Sequence, residues 1–183
     1  MGARSHEVRE RLTTAATELI VELGWSGVST RLLAERAGVT PGLVHYHFSS
    51  LQALLSEAAV SALTRMVDGL DAVLEQAKSP EDVVEQLLSA LSEHSGSDPM
   101  SLLVSETFLA TTRDAELRGA VATVLADFRA RLAAWFADHG VDAPEATAAV
   151  LAATVDGLML HRALLPEAEA TADVLRRIVA VRS

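Results

Sequence analysis

Apolar residues recur at spacings of three and four along almost the whole chain, and no stretch alternates strictly enough to form a strand. Val8, Leu12, Ala15, Ala16, Leu19, Ile20 and Leu23 draw the stripe of a first helix, which Gly24 is placed to end. Ser29 stands where it can cap a second helix, Thr30 to Ala37, closed by Gly38. Thr40 opens a third, with Pro41 at the first helical position, where a missing N–H costs nothing. Phe48-Ser49-Ser50 breaks it, and a long fourth helix runs from Leu51 to about Ala77. Ser79-Pro80-Glu81-Asp82 reads as cap, proline and acidic first turn of a fifth, to about Glu93. Asp98-Pro99 starts a sixth, to about Thr112, and Asp114 a seventh, ending at Gly140. Asp142-Ala143-Pro144 starts an eighth that ends before Pro166, and a ninth covers Thr171 to Val181. The pattern predicts an all-α fold of about nine helices.

Composition narrows the class. The chain has 183 residues, half of them apolar, enough for one domain or a small module fused to a larger one. The absence of cysteine excludes a disulfide framework, cysteine-based zinc sites and thiol catalysis. The N-terminal residues lack an apolar core of the secretory type, and His6 stands where a myristoylation signal needs Ser or Thr. The longest uncharged run, Ala37 to Ser56, carries Gly, Pro, His and Ser and makes no membrane span. A soluble, cytoplasmic protein with no membrane partner is expected.

The net charge of −10 argues at first against nucleic acid, but its distribution matters more. Residues 1–55 hold five Arg against five Glu and net zero; all the excess acid follows them. Two parts with different partners are implied, divided as 1–50 and 51–183.

The stretch from Thr30 to Phe48 carries the clearest signal. Two helices crossing closely through a tight turn need a small residue in the first, a glycine at the turn and an apolar lock in the second. Ala34, Gly38 and Val44 meet these demands, and Leu33, Ala37 and Val39 supply further apolar contacts. This is helix-turn-helix spacing, in which the second helix enters the DNA major groove. The same spacing fits an ordinary helical hairpin. What separates the two readings is the set Thr40, Leu43, His45, Tyr46 and His47 on a helix of barely two turns, with Arg31 in the first turn of the helix before it. A packed hairpin has no reason to expose an aromatic and two imidazoles. Arg31 is placed to reach a phosphate or a guanine edge.

These residues, from Gly24-Trp25 through Val28-Ser29-Thr30-Arg31 and Ala34-Glu35-Arg36-Ala37-Gly38-Val39-Thr40 to Gly42-Leu43-Val44-His45-Tyr46-His47-Phe48, resemble the DNA-binding domain of TetR-type transcriptional regulators. The likeness is dense over residues 6–55; beyond them it rests on helix count and layout, including Val155-Asp156-Gly157-Leu158. It implies a one-component repressor with an N-terminal three-helix domain on double-stranded operator DNA and a C-terminal helical domain for effector binding and dimerisation. By the same resemblance Arg31, Thr40, Leu43 and His45 face bases, while Thr30, Tyr46 and His47 hold phosphates. Ser29, Pro41, Gly42 and Ser50 complete the expected DNA-facing set. The family often has Tyr at the place of His45 and Lys at the place of Leu51. With that lysine missing and the domain neutral, weak non-specific binding is expected.

The C-terminal part offers candidates with two readings each. Met66 and Leu70, Leu103, Glu106 and Thr107, Phe128 and Trp135, and Met159 are either core or the lining of an effector pocket. Glu106, alone among apolar neighbours, is expected to point into that pocket, because an unpaired buried carboxylate is costly. Aromatics make up only 4% of the chain, which favours an aliphatic lining over a stacking cage. His94 and His161 have no partner at ligand spacing, so neither a metal site nor a cofactor is expected. The eighth helix is apolar nearly all round, with Val150, Leu151, Val155 and Leu158 opposite the small residues Ala146, Ala149, Ala153 and Gly157. Such a helix is either the central core helix of a monomer or is buried on its second side by a partner. Val174, Ile178 and Val181 give the ninth helix a matching face, and a homodimer through both helices is expected.

Three classes compete: a ligand-responsive repressor, an enzyme whose hairpin is only structural, and an architectural protein with no effector. The sequence carries no nucleophile elbow, phosphate loop or H-E-x-x-H motif, which counts against the enzyme. A cavity among helices four to eight separates the other two.

Overall fold

Helix starts fall where the sequence places prolines and capping side chains. The computed structural model describes residues 2–92, 94–161 and 169–180, and among them nine α-helices and no strand. In order these are α1 (Gly2–Leu23), α2 (Thr30–Ala37), α3 (Pro41–His47), α4 (Leu51–Gln76), α5 (Pro80–Ser92), α6 (Pro99–Thr111), α7 (Ala115–Asp138), α8 (Pro144–His161) and α9 (Glu169–Val179). The all-α expectation holds. One element escapes the periodicity, a single 3-10 turn at Trp25–Gly27, too short to show a period.

Local chemistry explains the boundaries. The Ser29 hydroxyl accepts from the Leu32 N–H at 3.3 Å, and Ser50 accepts from the Ala53 N–H at 3.0 Å, so both cap helices. Ser79 accepts from the Asp82 N–H while the Asp82 carboxylate accepts from the Lys78 N–H, a reciprocal closure of the α5 start. Asp114 accepts from the Glu116 and Leu117 N–H groups, each at 2.9 Å. Thr40 occupies the position before α3 in extended backbone, but its hydroxyl makes no capping bond, contrary to its expected role.

Asp98 makes the most heavily used cap. It accepts from the N–H groups of Ser95, Met100 and Ser101 and from the Ser101 hydroxyl, and its Oδ1 lies 2.9 Å from His94 Nδ1. Burial alone would raise this carboxyl, but the bonds from Ser101 and His94 outweigh it and hold it well below the usual carboxylate range. Asp98→Ala should cost about 1 kcal/mol of stability at neutral pH. The contribution comes from the ionised form, so it is complete above the unfolded carboxylate pKa of about 3.9 and fades as pH falls below it. Chemical denaturation of both proteins across that range should show the gap closing towards acid; a gap independent of pH would contradict this.

The chain forms two compact units, residues 1–64 with 102–121, and residues 65–101 with 122–183. The boundary between these compact units falls inside α4, whose first turns belong to the first unit. There Leu54, Leu55, Ala58, Ala59 and Ala62 are buried, and Glu57 pairs with Arg9. The second unit has its own core of Leu70, Val83, Val84, Leu132, Phe136, Leu151, Leu175 and Val179. Arg131 ties its helices at the surface, pairing with Asp71 at 3.0 Å and Asp127 at 2.6 Å.

Candidate nucleic-acid interface and ligand cavity

In the first unit α2, the turn and α3 are fixed from behind. Ala34 and Val44 are 2% and 1% exposed, so the small residue and the apolar lock meet as the spacing requires. Gly38 has φ 63° and ψ 39°, the left-handed conformation that ends α2 and that side chains resist. The Val39 N–H then reaches back to the Ala34 carbonyl at 2.9 Å. Arg11 donates to the carbonyls of Ala37 and Gly38, neutralising the negative end of α2. A Cβ at Gly38 would come within 2.8 Å of that guanidinium.

Three arginines are therefore consumed in holding the domain together. Arg11 caps α2. Arg9 bonds Glu57 and the His47 carbonyl and lies 4.3 Å from the Phe48 ring centroid. Arg36 pairs with Glu18 and Glu22 at 3.1 and 2.7 Å. Arg31 is exposed, and among the described residues no hydrogen bond or ion pair holds it. Thr40, Pro41, Gly42, Leu43, His45 and Tyr46 are exposed with it, Tyr46 at 78%. Thr30 and His47 are half-buried, and His47 meets the Tyr46 ring edge-on at 5.1 Å. Ser29 and Ser50 lie exposed beside this face, though their hydroxyls already serve as caps.

The second unit holds a partly open apolar cavity of about 220 Å³. Met66, Gly69, Leu70 and Val73 line it from α4, and Leu87, Ala90 and Leu91 from α5. Leu125 and Phe128 line it from α7, and Val155, Asp156 and Met159 from α8. Val67 and His94 complete the wall, with Phe128 the one carbocyclic aromatic among the described lining residues. Met66, Leu70, Phe128 and Met159 are thus brought together as the sequence suggested.

Four other candidates lie elsewhere. Leu103 and Thr107 are each 1% exposed, and the Thr107 hydroxyl is spent on the Leu103 carbonyl at 2.7 Å. The Trp135 indole donates to the Leu74 carbonyl at 3.1 Å and its ring stacks on His139 at 3.5 Å, a packing role. Glu106, expected to aim into the effector pocket, instead accepts from the Trp25 N–H at 2.7 Å within the first unit. It satisfies a donor that the 3-10 turn leaves open, in a cleft shared with Gln52 and Arg113. The carboxylate in the apolar cavity is Asp156, which sequence reasoning missed. Burial pushes its carboxyl above the ordinary range. The criterion that selected Glu106, one acidic residue isolated in an apolar helix, applies equally to Asp156, the lone carboxylate of α8 after Glu145.

The expected partner face lies on α8 and α9. Ala146 and Ala153 are exposed and Ala149 and Gly157 half-buried, while Leu151 and Met159 point inward. Val150 and Leu160 share the outer face at 47% and 42% exposure. Val150 was expected on the opposite side; its place three and four residues from Ala153 and Ala146 puts it among the small residues instead. Val174 and Ile178 are exposed at 47% and 40%, and Val181 lies outside the described residues. Among the described residues no helix is long and apolar enough to cross a membrane, and no cluster of three His, Asp or Glu side chains could hold a metal ion.

The family described as bacterial regulatory proteins, tetR family, matches residues 12–58, and that described as tetracyclin repressor-like, C-terminal domain, matches residues 78–181. A solved structure of a transcriptional regulator from Streptomyces coelicolor is 30% identical, covers 96% of this chain and 99% of its own, and superposes with a TM-score of 0.81. An uncharacterized HTH-type transcriptional regulator of Mycobacterium tuberculosis is 24% identical over 91% of this chain and 88% of its own length. The class C tetracycline repressor protein of Escherichia coli is 41% identical over 56 residues, 31% of this chain and 26% of the repressor.

Proposed function

The chain belongs to the tetR family of bacterial regulatory proteins, and from that premise we propose that it is a ligand-responsive one-component repressor. It is a transcriptional regulator with a helix-turn-helix DNA-binding domain, as its relatives are, and not an enzyme. In this reading residues 1–50 bind a palindromic operator, residues 51–183 bind an effector and dimerise, and the protein works in the cytoplasm. The observation that carries the effector role is the partly open apolar cavity in the second unit, with few polar groups on its wall. An architectural protein has no use for such a space, since packing it would add stability.

Dimerisation rests on the outer face of α8 and α9. Four large aliphatic side chains stand at 40–47% exposure beside a run of small residues that permits close helix approach. Pairing this face with itself across a two-fold axis gives a four-helix interface. Two recognition helices set about 34–36 Å apart would then meet successive major grooves.

The test is a mobility shift of the purified chain on the DNA flanking its own gene. A discrete complex that survives excess unrelated DNA and dissolves on adding a small lipophilic compound is expected. Absence of any specific complex with that DNA, or a complex indifferent to every compound in a broad set, would count against the repressor reading.

A further inference from the structure

The cavity holds two side chains that an apolar ligand would not need. Asp156 lines it from α8, and among the described residues no hydrogen bond or ion pair engages it. An ionised carboxylate facing apolar walls without a partner is destabilising, and the fold could have placed Ala or Leu there. His94 lines the same cavity, and its Nδ1 is engaged by Asp98 at 2.9 Å. Asp98 is held ionised and can only accept, so Nδ1 carries the proton. Of these two groups Asp156 is the one that asks for positive charge. The remaining wall is made of Met, Leu, Val, Ala and Gly with one phenyl ring. About 220 Å³ lies below the usual range of ligand cavities, roughly 300 to 1,000 Å³, and so limits the occupant to a small body.

We propose that this cavity takes a compact, hydrocarbon-bodied amine, its ammonium group paired with the Asp156 carboxylate. Binding supplies the counter-charge that the empty cavity lacks, in a medium of low polarity where such a pair is strong. An uncharged ligand of the same shape gains only the apolar contacts. A carboxylate of the same shape meets a like charge and is rejected. The inference rests on the cavity being the effector site.

Three rigid probes of one shape separate these cases: aminoadamantane, hydroxyadamantane and adamantane carboxylate, titrated calorimetrically into the full chain. The amine is expected to bind at least tenfold tighter than the alcohol, and the carboxylate not to bind. In Asp156→Asn the amine should fall to the level of the alcohol while the alcohol is unchanged. The variant should melt no lower than the wild type, because the carboxylate has no partner to lose; Asp156→Leu provides a second isosteric check with the same expected loss of preference. Gly69 lines the cavity and a Cβ there meets nothing within 4 Å, so Gly69→Leu should exclude amine and alcohol alike. Equal affinity for amine and alcohol, or a preference that persists in both Asp156 variants, overturns the proposal and leaves the cavity as a ligand site. Failure of every probe to bind, or binding untouched by Gly69→Leu, overturns the cavity reading as well.

Discussion

Gly157→Arg should convert the protein to a monomer and abolish operator binding while leaving both compact units folded. The expectation comes from what surrounds Gly157 within its own chain. A Cβ built there meets nothing within 4 Å, so the fold itself leaves room for a side chain. Arginine is also the better helix former, by roughly 0.8–1 kcal/mol over glycine in a helix interior. Within one chain the substitution is therefore neutral or slightly favourable. Any damage must come from a second body against the face formed by Ala146, Ala149, Val150, Ala153 and Leu160. There a guanidinium would be driven into a self-complementary apolar surface, and the two-fold axis would present it twice. Operator affinity falls because two linked half-site contacts become one, and the gain from effective concentration, on the order of a hundredfold or more, is lost. Sedimentation at micromolar concentration, circular dichroism and a mobility shift read the three parts separately. A variant that still sediments as a dimer removes this face from the interface. A wild-type chain that sediments as a monomer overturns the dimer altogether.

The features legible from sequence were those set by short-range steric rules. Ala34, Gly38 and Val44 could be placed because a turn with a left-handed residue tolerates few residue types, and the rule works over the eleven residues from Ala34 to Val44. Helix starts at Ser29, Ser79, Asp98 and Asp114 could be placed because a capping side chain acts on its own backbone. The cavity was half legible. Met66, Leu70, Phe128 and Met159 share it, but apolar periodicity alone does not distinguish a residue beside a void from one beside another side chain. The error over Glu106 has the same origin. An isolated carboxylate signals that some partner must exist, and the partner proved to be the Trp25 N–H, 81 residues away in sequence. Asp156 carried the same signal in a helix where no partner among the described residues answers it. Only the three-dimensional arrangement tells the two apart.

Arg31→Ala should weaken operator binding by roughly 1–3 kcal/mol for each half-site if Arg31 is bidentate to a guanine, about thirtyfold at the middle of that range. Among the arginines of residues 1–55 whose side chains are described, Arg9, Arg11 and Arg36 are committed to Glu57, to the α2 carbonyls and to Glu18 with Glu22. Arg31 alone among them is uncommitted, exposed, and in the first turn of α2, while Thr40, whose hydroxyl makes no capping bond, and the Tyr46 ring are exposed as well. The charge available to the phosphate backbone is therefore small, and Leu51 offers none where α4 begins. Salt dependence should reflect this. With about two cationic contacts per dimer, affinity should fall only about tenfold between 50 and 200 mM salt, against a thousandfold or more for proteins with six to ten phosphate contacts. The variant then sorts the contact by kind. Loss confined to one base position of the operator, with a small change in salt slope, marks a base reader. Equal loss on every sequence, with the slope reduced by about one for each arginine removed, marks a phosphate contact. Undiminished binding in Arg31→Ala, measured on operator variants at two salt concentrations, would take Arg31 out of the interface and leave α3 to bind through hydroxyl, imidazole and phenol groups alone.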